Sequence, residues 1–394
     1  MPRRKPAVVR MGEEEGVVLP ADASGKRPTT SLNCGAFAAS LEGVDAEAAA
    51  ACKQDEARWR RRYARHVVAN VEVSARNPEA ALQVATDGLA YLHREMHFLR
   101  GGKETSVAQA MKTYTDDAFW TGLVRGSGTR ADDALAVPYK GQLLQGDALR
   151  SQIERWVKAG VIEIDTGVAL LSAVEDPASV DLSGTTFVLL GASSAMGPLP
   201  LLLSLGAHVC AVDIDRPAIW QRLLAAAAAS PGSMSFPLRR GSGAPPTQEA
   251  ADALVAQGGE ELYAACGCNL LTEAPEIRTW LLGISPRDNL VCGCYAYLDG
   301  ALFLRLAVAM DCVAAELVHH RAATLAFLCT PTDAHLVPAT AREAAARNNR
   351  AGLWWYATPL HATPLPTAAF FVPSLNVTCL LPGLRRAAMR RDKL

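Results

Sequence analysis

Residues Gly191, Ser193, Ser194, Ala195, Met196 and Gly197 crowd into one small-residue turn, and an acid, Asp213, follows about 20 residues later. That spacing suits a nucleotide. Gly191 can take the backbone angles of a tight turn. Gly197 is expected to let a following helix pack close to its strand. Free N–H groups near Ser194 to Met196, at the start of that helix, would meet a pyrophosphate with the positive end of the helix dipole. The Asp213 carboxylate would accept hydrogen bonds from a ribose diol. Ala195 stands where such turns usually carry their middle glycine, and keeps the site small. A carboxylate repels a 2′-phosphate, so Asp213 favours NAD; Arg216, three residues on, leaves NADP open.

These residues need a β-α-β frame, and residues 186–215 supply its pattern: an apolar run (Phe187 to Leu190), a helical stretch, and a second apolar run (His208 to Val212) ending on Asp213. Strand-like and helical runs alternate from there. Strands are expected at Thr186–Leu190, His208–Val212, Met234–Leu238, Glu261–Cys266, Asn289–Tyr295 and Thr324–Cys329. Helices are expected at Leu199–Leu205, Ile219–Ala228, Thr247–Gln257, Pro275–Ile284, Ala301–His319 and Thr340–Asn349. Such alternation predicts the α/β class: a doubly wound, mostly parallel, Rossmann-like sheet with a helical N-terminal region. The chain divides into a segment 1–40, flexible at its start, a mainly helical region 41–180, a dinucleotide-binding domain 181–350 and an irregular cover 351–394 with one strand, Ala369–Val372. Within the second region, helices are read over Val44 to Arg100, Val107 to Leu123 and Asp147 to Ala159, and a hairpin or strand over Val161 to Leu171. Arg60, Arg61, Arg62 and Arg65 read as a solvated helix face, with a phosphate-contacting patch as the sharper alternative.

Over residues 184–350 the order of elements resembles the short-chain dehydrogenase/reductase family. Gly191 to Gly197 is similar to that family's glycine-rich turn. Cys266-Gly267-Cys268-Asn269 falls where the family has an asparagine-bearing strand end beside the cofactor. Ala314-Ala315-Glu316-Leu317 resembles the end of its long helix, and Cys329-Thr330-Pro331-Thr332-Asp333 the loop that touches the nicotinamide amide. The resemblance implies NAD(P) bound by the turn, Asp213, Asn269, Thr330 and Thr332. One feature departs from it: the family's Tyr-x-x-x-Lys pair is absent. Its tyrosine slot falls on Asp299 and its lysine slot on Phe303.

Tyr297 with Asp299 is therefore the candidate acid/base pair. Asp299 also stands where a helix cap belongs. A carboxylate beside a phenol positions it but raises its pKa. Arg305 could lower that pKa by its charge, yet cannot relay a proton as lysine does. His335 is a lone histidine on an expected strand-end loop. Cys266/Cys268 and Cys292/Cys294 are C-x-C pairs whose members would share a strand face. They read as buried reduced thiols, not as metal ligands or disulfides.

The net charge of −1 excludes an electrostatic nucleic-acid binder. Arg305, Asp311 and Glu316 interrupt the most apolar helical stretch, which excludes a membrane span there. A cytoplasmic location follows; the terminal Asp-Lys-Leu is a poor variant of a peroxisomal address. Three readings stand: an atypical oxidoreductase of a small carbonyl or alcohol, a catalytically silent dinucleotide-binding or scaffold protein, and an S-adenosylmethionine-dependent methyltransferase. Sheets of this kind often pair through long helices, which leaves a homo-oligomer open.

Overall fold

A computed structural model describes residues 15–129, 135–241, 244–286 and 289–327, and positions 343, 346, 347 and 350. The expected helix over 340–349 lies largely outside the described residues. The expected strand over 369–372 lies outside them, as do Thr330, Thr332, Asp333 and His335.

Two compact units divide the chain. Among the described residues, the first comprises 15–63, 83–129 and 182–327, and the second holds 64–82 and 135–181. The N-terminal elements are β1 (Gly16–Val18), α1 (Thr29–Glu42), α2 (Ala46–Gln54), α3 (Trp59–Ser74), α4 (Pro78–Glu95), β2 (His97–Arg100), β3 (Lys103–Ser106), α5 (Val107–Thr113) and β4 (Phe119–Arg125). In the second unit follow β5 (Val137–Tyr139), β6 (Gln142–Leu144), α6 (Gly146–Lys158) and α7 (Ile164–Glu175). Lys140 and Gly141 take φ of 49° and 78° in the two-residue turn joining β5 to β6, the conformation that matches strand twist. Leu149 and Ile153 are buried on α6, and Trp156 meets Tyr139 edge-on at 5.1 Å.

The rest of the first unit is β7 (Thr185–Leu190), α8 (Leu199–Ser204), β8 (His208–Val212), α9 (Pro217–Ala228), β9 (Ser233–Arg239), α10 (Gln248–Gln257), α11 (Glu260–Ala265), α12 (Leu270–Gly283), β10 (Asn289–Cys294), α13 (Ala301–Arg321) and β11 (Thr324–Phe327). Six strands form one mixed sheet in the order β11-β10-β7-β8-β9-β4. All neighbours are parallel except β4, which runs antiparallel to β9 along seven paired residues. The protein is thus of the α/β class.

Burial explains why these runs are strands. All five residues of β8 are buried, as a central strand covered on both faces requires. Val188, Leu190, Cys210 and Val212 face a core shared with α12 and α13. Leu189, Val209 and Ala211 face the opposite core, with Leu202 of α8 and Trp220 and Leu223 of α9. The small antiparallel sheet β1-β2-β3 joins the first of these cores through Val17 and Phe98. Arg305 of α13 ties β1 down by donating from Nε to the Val17 carbonyl and from Nη2 to the Glu15 carbonyl at 3.1 Å.

Four expected elements differ, the first being the helical stretch read over Val44 to Arg100, whose last residues, His97–Arg100, pair with β1 and β3 as strand β2. Where a strand was expected over 261–266, residues 260–265 form a helix, and only Cys266 is extended, bridging to Leu238. Gly258 and Gly259 take positive φ, and Glu260 and Glu261 then open a helical turn whose dipole favours acids. The helical stretch expected over 107–123 stops at Thr113, and Phe119–Arg125 becomes the edge strand β4. Its aromatic and branched side chains suit a strand, and Gly122 leaves room for the Phe236 ring, which a Cβ would approach to 2.4 Å. Residues 164–175 form a helix where a hairpin or strand was expected: Ala169-Leu170-Leu171 favours helix, and Gly167 lets Val157 of α6 come close.

The eight described cysteines are free, and seven are buried. Cys292 and Cys294 share a face, as expected. Cys266 and Cys268 do not: they lie in opposite cores, because Gly267 between them turns the chain at φ 108°. No helix among the described residues is long and apolar enough to cross a membrane.

Candidate functional site

Strands β8 and β10 flank β7; the chain leaves β7 toward β8 and leaves β10 toward β11, in opposite directions along the sheet. At the carboxyl ends of these strands lies a cavity of about 480 Å³. The glycine turn, the end of β8 and the segments after Cys268 and after β10 line it. Crevices at such reversals are where open α/β sheets bind ligands.

The turn is built by hydrogen bonds from its own backbone. Gly191 takes φ 93°, and a Cβ there would lie 2.4 Å from the Ala296 nitrogen, so only glycine lets the ends of β7 and β10 converge. The Gly191 and Ala192 N–H groups donate to the Val212 carbonyl at 2.9 and 3.1 Å. Ser194 N–H donates back to Gly191, and Gly197 N–H to Ser194. Ala195 and Met196 are exposed, and their N–H groups make no hydrogen bond within the described residues.

Asp213 lies in the crevice, 9 % exposed, and is committed to the turn as well. Its carboxylate accepts from the Ser193 N–H at 2.6 Å and from the Ile214 N–H at 2.9 Å. One lone pair on each oxygen remains for a ligand.

Two expectations about the turn are corrected. Helix α8 starts at Leu199, beyond Ser194 to Met196, so those N–H groups belong to a turn. Pro198 explains this: it restrains Gly197 from helical angles and has no N–H, whereas Pro200 sits in the first turn of α8, where a proline is tolerated. Gly197 does not bring a helix onto its strand. A Cβ there would come closest to Ser194, with its carbonyl at 3.1 Å, within the same turn.

Asn269 reaches the crevice through the bend at Gly267, where a Cβ would come within 2.6 Å of the Trp220 indole nitrogen. Its side-chain oxygen caps α12 by accepting from Leu271 N–H at 2.9 Å. Its backbone N–H donates to Glu273, which pairs with Arg239, which also reaches Asp215. Cys268 N–H donates to the Asp213 carbonyl at 2.9 Å, joining this segment to the β8 end. Burial first, then the Glu273 and Asp213 charges, push the Cys268 thiol well up, so it is no nucleophile.

Tyr297 lines the crevice and Asp299 does not, but the two come together: the phenol donates to Asp299 Oδ1 at 3.2 Å. Tyr297 is 63 % exposed. The hydrogen bond to Asp299, and then its charge, raise the phenol's pKa. Asp299 does not cap α13; Gly300 occupies the cap position, without a side-chain bond. Arg305 is not a phenol activator, since it is buried and its guanidinium donates to the carbonyls of Val17 and Glu15.

The crevice also uses residues that sequence reasoning did not single out: Ile214, Ile219, Leu270, Leu271, Ala296 and Leu298. Ala296 and Leu298 carried a usable signal, since they directly follow a strand adjacent to β7. No protein-family model matches this chain, and comparison with curated proteins and with solved structures gives no match.

Proposed function

We propose that the crevice binds the adenosine half of a nicotinamide dinucleotide and that the chain is an atypical oxidoreductase of a small carbonyl or alcohol. The observation that carries this reading is Asp213: a carboxylate at the end of the strand after the glycine turn, inside a cavity at the reversal of strand order. The order β9-β8-β7-β10-β11 matches the doubly wound Rossmann arrangement, and helices cover both faces. The likeness of residues 184–350 to short-chain dehydrogenase/reductases agrees with it.

The residues fit such a ligand in a specific way. Asp213 would hold the ribose diol on its remaining lone pairs. The Ala195 and Met196 N–H groups would hold phosphate oxygens, and Ile214 and Ile219 offer apolar surface for a base. The bound dinucleotide would supply hydride. Tyr297 would hold the proton for a substrate oxygen. Asp299 accepts the phenol's hydrogen bond at 3.2 Å and would orient Tyr297 for that task. A cytoplasmic enzyme of a small molecule, with no nucleic-acid or membrane partner, accords with the near-zero net charge and the free thiols.

One observation favours a second reading. Asp213 occupies the Ser193 N–H, and Pro198 and Pro200 remove donors, so few N–H groups remain for a pyrophosphate. S-adenosylmethionine has an adenosine but no phosphate. Thermal shifts with NAD, NADH, NADP and S-adenosylmethionine separate the two. A ligand at a hundred times its dissociation constant adds about 2.7 kcal/mol. A shift with S-adenosylmethionine alone replaces the first reading by the second. If NADH binds, Tyr297→Phe should abolish carbonyl reduction and leave NADH affinity unchanged. Binding without turnover on any carbonyl or alcohol would point to a silent dinucleotide-binding protein.

A further inference from the structure

Resting on the reading of Tyr297 as the proton donor, we infer that the substrate is an uncharged carbonyl compound with an apolar chain. That chain lies on a lip formed by Tyr297, Leu298, Leu302 and Phe303. The lip is continuous with the crevice, because Tyr297 and Leu298 belong to both. Leu302 and Phe303 occupy the first turn of α13 and are 43 % and 37 % exposed, whereas Arg305 and Leu306 just beyond are buried. Phe303 packs on Tyr297 with ring centroids 5.2 Å apart. Scattered exposed apolar residues are ordinary; adjoining ones at the mouth of a cavity mark a binding surface.

The occupant follows from where the phenol sits and from charge. A substrate oxygen that takes the Tyr297 proton must approach the phenol, and its substituent then falls on the neighbouring Phe303 and Leu302 side chains. Within residues 297–303 the only charged group is the Asp299 carboxylate, at hydrogen-bond distance from that phenol. It repels carboxylate and phosphate substrates at the reacting position and leaves a neutral ketone or aldehyde unopposed.

Calorimetric titration of the full chain tests this, with acetone and with 2-decanone, each with and without NADH. NADH is titrated alone as well. Affinity should rise about two- to fourfold per added methylene in the NADH-loaded protein. Phe303→Asp should weaken 2-decanone at least tenfold and leave NADH unchanged. This residue is exposed, and an acid in the first turn suits the helix dipole, so the variant should fold. Leu302→Asp should repeat the effect. Equal affinities for the two ketones in the NADH-loaded protein would overturn the inference. So would a dimer in sedimentation that Phe303→Asp dissociates without any ketone binding, since a second copy would then own the lip. If NADH fails to bind but 2-decanone keeps its chain-length dependence and its loss in Phe303→Asp, the apolar lip stands and the dinucleotide reading falls.

Discussion

Replacing Asp213 by asparagine keeps the side chain's shape and removes its charge. In the native crevice each carboxylate oxygen accepts one backbone N–H, from Ser193 at 2.6 Å and from Ile214 at 2.9 Å. An amide can accept only one of them; its NH2 group then faces the other donor. One charge-assisted bond is lost and a donor–donor contact takes its place. A hydrogen bond to a charged group contributes about 1.5–3 kcal/mol, and Asp213 is 9 % exposed, so little of that is returned by water. The expected loss is about 2–3 kcal/mol, or a Tm lowered by about 4–12 °C for a unit of this size. The same substitution removes the charged acceptor for a ribose diol, which should weaken NAD about ten- to hundredfold. Urea denaturation followed by tryptophan fluorescence gives the first quantity and NAD titration the second. Unchanged stability would refute the role of Asp213 in the turn. Unchanged affinity in a variant that does bind NAD would refute its role in the site.

Gly191→Ala should be worse than any surface change: left-handed backbone costs about 1–2 kcal/mol, and overpacking against Ala296 adds about 1–3 kcal/mol. The measurement is again a denaturation midpoint. Glu276 is buried and pairs with Arg100, which also donates to the Thr272 carbonyl at 2.8 Å. Glu276→Ala strands that cation and should cost about 3 kcal/mol, near the low end for a buried pair because Arg100 is partly exposed; Glu276→Gln should cost less. Glu104 is held down to about 2, first by its hydrogen bond to Arg27 and then by His97. A depressed carboxyl contributes stability above its unfolded value of 4.5 and loses it as pH falls through the folded one. The Tm difference between the native chain and Glu104→Gln should therefore hold at pH 6 and shrink between pH ~4.5 and ~2; a difference that stays constant over that window would contradict the pairing.

The parallel strands were legible because their apolar runs are continuous and both faces of the sheet are covered; His208–Val212 is the clearest case. What stayed hidden depended on distant partners. Phe119–Arg125 is a strand because Ser233–Arg239 offers it an edge, and no local pattern announces that. Residues 261–266 have strand-like composition at one end only, and two glycines with positive φ decide for helix. In the crevice, Gly191 and Asp213 were legible from spacing. Pro198 stands at the N-cap of α8, and its restraint on Gly197 decides where the helix begins over the glycine pattern. Pairing of Tyr297 with Asp299 was visible from proximity, whereas the commitment of Arg305 to β1 required the fold.

The antiparallel edge strand has a consequence for synthesis. Phe119–Arg125 leaves the ribosome roughly a hundred residues ahead of Ser233–Arg239, which at usual elongation rates is about 5–20 s. For that interval an aromatic segment with unpaired amides has no template to join. A fragment beginning near residue 182 faces the converse problem. It would present the open flank of β9, Phe236 included, to any other chain with a free strand, so expressing that fragment alone should favour aggregates over monomers.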